Sequence, residues 1–428
     1  MLKQYIQARL KTSEFLNHVL ILMLGTGLAQ AIPILASPII SRIYSPAEYG
    51  VFGLYTSMVS IGATFITLRY EQVIVLAKTS KDALNLVILT FLISIVFLAA
   101  LMIGTAVIGK SHVLSLLQAE SMAPYFYLLF PGILLTTIVQ ILNYALSREK
   151  KYKDLAAMKL VQMGGLTITQ LGLGIKGFNG MGLIMGNVIG NLLASIFLLQ
   201  NFFKHILTIP DISIRRMNEL ARNYKKFPLY NTFGDTINVV AANLHIILFL
   251  KYFGQEVTGI IAFTSLLFLA PVSLIATSFS QVFYQKIATL ESKASLLAAY
   301  YNGLKYLLPI AAAMILVALL IPHNLIPFIF GEKWTGTSTY LLPLSVWFGF
   351  QFVGSSLSMI YVRLHRLGFL LAINILNISS TFFIIYGGYA FALSAFQTVL
   401  AFCITKAIVY AGTAGLGIYI IKSTHEKL

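Results

Sequence analysis

The chain has 428 residues, of which 58% are hydrophobic and only 10% charged, and its mean hydropathy is +0.84. A soluble globular domain carries about 25% charged residues, so the composition excludes that class. The formal net charge is +16, but the basic residues lie in short segments beside apolar runs. This placement indicates membrane topology and anionic lipid headgroups rather than nucleic acid as the partner.

Apolar runs separated by charged residues predict about twelve transmembrane helices, because one span needs roughly 20 apolar residues. Such long unbroken runs exclude a membrane barrel, whose strands alternate in hydrophobicity. The first run is too long for a cleaved signal peptide and is predicted to be a span. In chain order the predicted spans are 16–40, 49–68, 83–109, 123–146, 157–175, 179–203, 229–252, 257–284, 300–321, 338–361, 368–388 and 392–421.

The basic residues predict the orientation of these spans. With a cytoplasmic N-terminus, 22 of the 30 Lys and Arg residues fall in cytoplasmic segments, which fits the positive-inside rule. We therefore expect a multi-pass membrane protein with both termini in the cytoplasm. The basic residues expected outside are Arg42, Lys110, Lys176, Lys251 and Lys333.

The two halves of the chain resemble each other. Gly50 and Gly259 take matching places after the first span of each half, and a basic loop beginning at Arg148 matches one beginning at Arg363. Each half starts in the cytoplasm and has six spans, so the repeat is parallel, as in many transporters. The predicted domains are an N-terminal six-helix bundle (1–203), a cytoplasmic connection (204–228) and a C-terminal six-helix bundle (229–428).

Polar residues form a stripe on the seventh span. Asn231, Asp235, Asn238 and His245 are spaced so that they share one helix face. The stripe either lines a cavity or makes hydrogen bonds between helices, and an ionisable residue in a span favours the cavity. Asp235 lies about 10 Å from Pro228 at the cytoplasmic end, within reach of water, and is our candidate for ion coupling.

Lys406 lies midway along the last span, where a Lys costs about 2.5–3.5 kcal/mol on insertion scales. We therefore expect Lys406 to pair with another group or to face water. Arg42 lies at the outer end of the first span. Both residues are candidates for positive potential in a cavity, and anchoring of their helices is the alternative.

No enzymatic constellation is present in the sequence. It lacks the nucleotide loop G-x-x-x-x-G-K-[ST], the zinc motif H-E-x-x-H and the nucleophile elbow G-x-S-x-G. The single cysteine, Cys403, lies in an apolar run and cannot form an intramolecular disulfide. We expect no catalytic residue, metal or cofactor, so the energy would come from an ion gradient or from the substrate gradient.

Two short segments carry a family resemblance: Ser45-Pro46-Ala47-Glu48-Tyr49-Gly50-Val51-Phe52 and Arg69-Tyr70-Glu71-Gln72-Val73-Ile74-Val75-Leu76. In the second half, Tyr224-Lys225-Lys226-Phe227-Pro228-Leu229-Tyr230 and Ser280-Gln281-Val282-Phe283 agree with them. Together these segments resemble the oligosaccharide flippases of the Wzx type, within the multidrug/oligosaccharidyl-lipid/polysaccharide exporter superfamily.

The resemblance implies a MATE-like fold with two six-helix bundles around a central cavity, and alternating access by bundle rocking. It also implies that the substrate is an oligosaccharide repeat unit linked to undecaprenyl diphosphate, for O-antigen or other surface polysaccharide. Membrane lipids, a polysaccharide polymerase and a chain-length regulator are the expected partners, and nucleic acid is not one. A drug/cation antiporter of the same fold and a membrane glycosyltransferase or polymerase are the alternatives.

Arg69 and Glu71 are expected at the cytoplasmic end of the second span, where they could form an ion pair or help to gate the inward opening. The candidate residues of the substrate cavity are Arg42, Arg69, Glu71, Asn231, Asn238, His245 and Lys406, and Asp235 is the candidate for ion coupling.

Overall fold

The structure is a computed structural model that describes residues 2–117, 119–206, 212–225 and 227–423. In the first half the α-helices are α1 (Leu2–Ile43), α2 (Pro46–Ile66), α3 (Tyr70–Ile74), α4 (Ser80–Ile108), α5 (Lys110–Leu117), α6 (Leu129–Arg148), α7 (Tyr152–Ile175), α8 (Asn179–Ile206) and α9 (Ile214–Asn223). In the second half they are α10 (Thr232–Ala288), α11 (Lys293–Leu320), α12 (Leu325–Phe330), α13 (Thr337–Leu357), α14 (Met359–Arg363), α15 (Leu367–Ala390) and α16 (Ala395–Ser423).

Among the described residues, ten helical stretches are long and apolar enough to cross a membrane. The helix α7 is not among them because Lys159, Gln162 and Gln170 lower its mean hydropathy. The eighth predicted span is the part of α10 after Gly254, whose backbone (φ 85°, ψ 179°) is open almost only to glycine and separates two helices. Each predicted span thus coincides with a helix, and the predicted all-α membrane fold is confirmed.

The described chain forms two compact units. The first contains the chain up to Ala36 and Tyr55–Val239, and the second contains Ser37–Leu54 and the chain from Val240 onward. The helices α1, α2 and α10 each contribute to both units. The domain boundaries at 203 and 229, which follow from the sequence repeat, remain a prediction. The packing of the chain assigns residues 37–54 to the second unit.

The core of the first unit lies between α3, α4, α6, α7 and α8, where Val73, Leu86, Ile141 and Leu198 are fully or almost fully buried. The amphipathic helix α9 also packs in this unit.

Met217 and Leu220 bury the apolar side of α9. Its Arg216 donates hydrogen bonds to both carboxylate oxygens of Asp82, at 2.7 and 3.1 Å. These hydrogen bonds, with one to Glu219, raise the pKa of the Arg216 guanidinium further above its ordinary value. The connection predicted between the two bundles thus contains a helix, whereas its residues 207–211 and 226 lie outside the described residues.

In the second unit, α2 crosses α10 at two glycines. A methyl group on Gly259 would lie 1.6 Å from the Pro46 carbonyl oxygen, and one on Gly50 would lie 2.1 Å from the Gln255 carbonyl oxygen. Neither helix can move its backbone away without losing this close packing, so only glycine fits at either position. The glycines matched by the repeat therefore pack against each other.

The segment before α2 is fixed by a capping box. The backbone N–H of Ser45 donates to Glu48 Oε2 at 2.7 Å, and the N–H of Glu48 faces Ser45 Oγ at 3.4 Å. Pro46 occupies the first helical position, where its missing N–H leaves no hydrogen bond unmade. The Ser45–Glu48 part of the flippase-like motif thus starts a helix.

The two basic loops matched by the repeat have the same backbone geometry. Lys150 (φ 56°) and His365 (φ 53°) are both left-handed. The residue after each donates its N–H to a carbonyl five residues earlier, from Lys151 to Leu146 at 3.0 Å and from Arg366 to Tyr361 at 2.8 Å. The local resemblance predicted between the halves is confirmed here.

Candidate functional site

A buried charge cluster lies at the start of α3 in the first unit. Two residues before this helix, Leu68 (φ 47°) and Arg69 (φ 58°), have left-handed backbones that are uncommon for side-chain-bearing residues and cost about 1–3 kcal/mol each. This turn ends the run of α2 and directs Arg69 toward α10. The ion pairs of Arg69 therefore help to hold a strained backbone.

Arg69 bridges two carboxylates. Its Nε donates to Asp235 Oδ2 at 2.6 Å, and its Nη1 donates to Glu71 Oε1 at 3.0 Å. The side chains of Arg69, Asp235 and Glu71 are 17%, 35% and 0% exposed. The ion pair predicted between Arg69 and Glu71 is confirmed, and Asp235 joins the same guanidinium.

Two amide side chains extend the cluster beyond the charged residues. Gln72 Nε2 donates to Asp235 Oδ2 at 2.9 Å, and Asn231 Nδ2 donates to Gln72 Oε1 at 3.2 Å. The Tyr144 hydroxyl of α6 lies beside Gln72, within electrostatic reach of the three charged residues. We call Arg69, Glu71, Gln72, Tyr144, Asn231 and Asp235 the charge cluster.

Glu71 is the least hydrated member of the charge cluster. Burial raises the pKa of its carboxyl above the ordinary value of 4.5, although the neighbouring Arg69 opposes this shift. The Thr67 hydroxyl lies near this carboxyl group but donates to the Thr64 carbonyl. The Oε2 atom of Glu71 is buried without a hydrogen-bond partner. Arg69 therefore faces one carboxylate that resists ionisation and another, Asp235, that is partly open to water.

The remaining residues of the stripe on α10 have other surroundings. Asn238 is exposed. His245 is 8% exposed and packs against the rings of Trp347 and Phe402, with centroids 5.1 and 5.8 Å away. At His245 the expectation of a water-facing position is wrong, because two aromatic rings cover the imidazole in the second unit.

Lys406 is paired, as predicted. Its Nζ donates to the carbonyl oxygen of Asn377 at 2.8 Å and to Asn377 Oδ1 at 3.0 Å, and it lies 5.5 Å from the centre of the Phe402 ring. The side chain is buried at 4% exposure. Neutral oxygen atoms and an aromatic face thus stabilise this ammonium in the span.

Arg42 is exposed and contacts the short helix α12. Its Nη2 donates to the Phe328 carbonyl at 2.7 Å. Nearby, Trp334 Nε1 donates to the Ser41 carbonyl at 2.8 Å. These bonds tie the end of α1 to the segment around α12, which supports the anchoring alternative for Arg42.

Four of the predicted site residues therefore meet in one place, namely Arg69, Glu71, Asn231 and Asp235. A guanidinium shared by two carboxylates can change partners when one carboxylate takes up a proton or when another anion arrives, because Arg matches carboxylate and phosphate oxygens equally well. Among the described residues, no group of His, Cys, Asp and Glu has a geometry that could hold a metal ion.

Sequence reasoning missed Gln72 and Tyr144. Gln72 stood within a segment that carried the family resemblance, yet an uncharged amide at a helix end gives no signal of its own. Tyr144 is one of 22 tyrosines, and nothing in its neighbourhood of the sequence distinguishes it.

The fold is that of a membrane transporter of the MATE type. An inward-facing multidrug resistance MATE family transporter of the MOP superfamily matches with a TM-score of 0.74 at 14% identity, over 94% of this chain and 99% of its own. The outward-facing conformation of a multidrug resistance MATE family transporter matches with a TM-score of 0.63 at 14% identity, over 95% and 97% of the two chains. A MOP superfamily transporter from Pyrococcus furiosus, whose binding pocket is described as having reverse polarity, matches with a TM-score of 0.63 at 15% identity, over 95% and 96%.

The sequence model of the family described as "Polysaccharide biosynthesis protein" matches residues 39–339. The chain belongs to this family. No curated protein sequence matches it significantly. The family match agrees with the polysaccharide part of the resemblance, and the structural matches show the MATE-like fold that the resemblance implies.

Proposed function

We propose that the protein translocates oligosaccharide repeat units linked to undecaprenyl diphosphate across a bacterial inner membrane, by alternating access, for the synthesis of O-antigen or another surface polysaccharide. The observation that carries the proposal is the combination of a polysaccharide biosynthesis family with a transporter fold over most of the chain. A hydrophilic glycan built on a membrane lipid must cross the bilayer before polymerisation outside. A transporter in such a pathway has this step to perform.

Arg69 is the proposed contact for the diphosphate. Its guanidinium is partly buried and is held by carboxylates, so a diphosphate oxygen could replace Asp235 without leaving a buried cation unpaired. Proton uptake at Asp235 would remove the competing charge and release Arg69. This exchange would couple a proton gradient to substrate binding.

The other parts of the proposal follow the topology expected from the sequence. Both termini lie in the cytoplasm, so the substrate enters from the face where glycosyltransferases build it. Arg42 and Lys406 add positive potential along the route of the diphosphate, while their hydrogen bonds hold backbone carbonyls. A polymerase and a chain-length regulator would receive the product outside.

A drug/cation antiporter is the second candidate, because two of the structural neighbours described above are multidrug transporters. Such a protein needs an accessible anionic site for its cation. In the charge cluster both carboxylates already face Arg69, which weakens this candidate.

The test is complementation of a bacterial strain that lacks its own polysaccharide flippase, with the lipid-linked repeat unit of the source organism supplied by its glycosyltransferases. We expect restored surface glycan in cells that carry the parent chain, and no change in resistance to toxic cations such as ethidium. Ethidium resistance without restored glycan would replace the proposal with the antiporter.

A further inference from the structure

A cavity lies in the second unit, between the C-terminal parts of α10 and α13. Its volume is about 370 Å³, within the range of small-molecule sites. Six polar residues line it, and we call it the hydroxyl cavity: Thr277, Ser280, Gln281, Tyr284, Ser355 and Ser356.

Ser356 contributes a hydroxyl without a partner to the lining. It is 1% exposed, and its Oγ has no hydrogen-bond partner, although a buried hydroxyl without a partner is unfavourable. Thr277 and Ser355 donate to carbonyls of their own helices, at 2.7 and 3.4 Å, and so keep oxygen lone pairs for a donor. The hydroxyl cavity thus offers an unsatisfied hydroxyl together with several acceptors.

The electrostatics favour a neutral ligand. No charged side chain lines the cavity. Without an Arg or Lys side chain it has no cation to pair with a phosphate. Without a carboxylate the cavity also lacks the usual partner of a cation.

The remaining lining suits a sugar ring. Gln281 supplies an amide with both donor and acceptor atoms, which matches vicinal hydroxyl groups. Tyr284 is 39% exposed, and Met359 lines the same cavity, so an apolar face is available for the C–H groups of a pyranose. Hydroxyls, an amide and an aromatic ring without charge are the chemistry of carbohydrate recognition.

We propose that the hydroxyl cavity binds one or two neutral sugar rings of the transported glycan. This inference rests on the proposed function and assigns the glycan to the second unit, whereas the diphosphate is assigned to the charge cluster of the first.

The test is direct binding to the purified full-length protein. Glycans are released from the lipid-linked pool of the source strain by mild acid, freed of phosphate, and titrated by native mass spectrometry. We expect Ser356→Ala to weaken binding about fivefold and the double variant with Gln281→Leu about twentyfold or more, at the cost of one or two hydrogen bonds. Ser265→Ala, the same substitution at a residue of α10 that does not line the cavity, is the matched control and should bind as the parent does.

Misfolding does not confuse the result, because Ser356→Ala removes an unpaired buried hydroxyl and should melt no lower than the parent. Equal binding by the parent and the double variant would overturn the inference, as would a parent that binds no released glycan. Displacement of the glycan by inorganic pyrophosphate or by tetraphenylphosphonium would also overturn it, since the site would then select charge.

Failure of the two proposals can be told apart. If the parent chain restores surface glycan in the flippase-null strain but binds no released glycan, only the inference fails. If the hydroxyl cavity binds glycan while surface glycan is not restored, only the flipping function fails.

Discussion

The segment 69–74 of the first unit and the segment 278–283 of the second occupy equivalent places in the two halves, 209 positions apart like Gly50 and Gly259. Both keep a Gln-Val pair at the centre, with Gln72 in one and Gln281 in the other. The Arg and Glu of the first segment are replaced by two serines in the second. The two halves therefore share this sequence pattern, but one copy carries charged side chains and the other carries hydroxyl groups.

The backbones of the two segments differ as well. In the first, the left-handed residues Leu68 and Arg69 break the chain between α2 and α3, while the second continues within α10 to Ala288. The turn lets the charged side chain of the first segment reach Asp235. The serines of the second segment line a cavity beside their own helix, so no turn is needed there. Side-chain chemistry and backbone path have diverged together.

Removal of the positive charge from the first segment should have the largest effect on function. Arg69→Gln leaves the buried Glu71 and the partly buried Asp235 without their cation, and it removes the proposed diphosphate contact. We expect export of surface glycan in the complemented strain to fall about thirtyfold. Arg215→Gln, at a side chain that is 91% exposed on α9, is the control and should export normally. Normal export by Arg69→Gln at normal protein level would contradict the role of Arg69.

Exchanging Arg69 and Glu71 asks whether their ion pair is only structural. The charge-exchanged double variant keeps the pair but moves the cation away from Asp235, so we expect export to be lost. Normal export, measured as surface glycan, would show that the two residues serve only each other.

A smaller effect is expected from Asp235→Asn, which keeps the size of the side chain and its hydrogen bonds. In proteoliposomes this variant should flip lipid-linked sugar severalfold more slowly, and its rate should no longer respond to a pH gradient. Glu219→Gln, at an exposed carboxylate of α9, should keep the response. An unchanged pH-gradient dependence in Asp235→Asn would exclude Asp235 as the coupling site.

Arg148 and Arg363, the first residues of the two basic loops, should affect stability rather than substrate specificity. Arg363 donates to the Ile287 and Leu290 carbonyls, each at 3.0 Å, whereas Arg148 donates to the Ala77 carbonyl at 3.2 Å. We expect Arg363→Ala to lower the free energy of unfolding by about 2 kcal/mol and Arg148→Ala by about 1 kcal/mol. Equal losses in detergent-based unfolding would show that the second carbonyl bond of Arg363 contributes no more than the ion pair of Arg148 with Glu149.

The smallest effect concerns Glu71. Because its pKa is raised in the folded protein, the folded state holds the proton more tightly than the unfolded state, and stability falls as pH rises above 4.5. Glu71→Gln removes this loss, so the variant should gain stability relative to the parent between acidic and neutral pH, by about 2 °C in melting temperature. A parallel pH dependence of both proteins would refute the assignment.

The sequence was sufficient for the fold because apolar runs and basic loops depend on local composition alone. It also singled out Asn231 and Asp235 as polar residues within a span, and Arg69 and Glu71 through the segment that carries the family resemblance. It could not pair Arg69 with Asp235, 166 positions away. The environment of His245 was mispredicted because helical spacing defines a face but not the rings that cover it.

The hydroxyl cavity shows a further reason why sites escape sequence analysis. Ser280 and Gln281 stood in a segment that carried the family resemblance, yet Ser355 and Ser356 come from another helix and are ordinary residues there. Only the approach of α10 to α13 creates a cavity from them. Uncharged sites formed across helices depend on tertiary structure more than charged ones do.

The glycine crossing of α2 and α10 has a consequence for biosynthesis. Residues 37–54 leave the ribosome early, but their packing partners Gln255 and Gly259 follow about two hundred residues later. At about 5–20 residues per second, the early segment waits on the order of ten to forty seconds in the membrane before its groove exists. During that interval the glycine face of α2 is open to premature partners. Substitutions on this face that leave Gly50 in place should therefore reduce the yield of inserted protein even when the finished protein tolerates them.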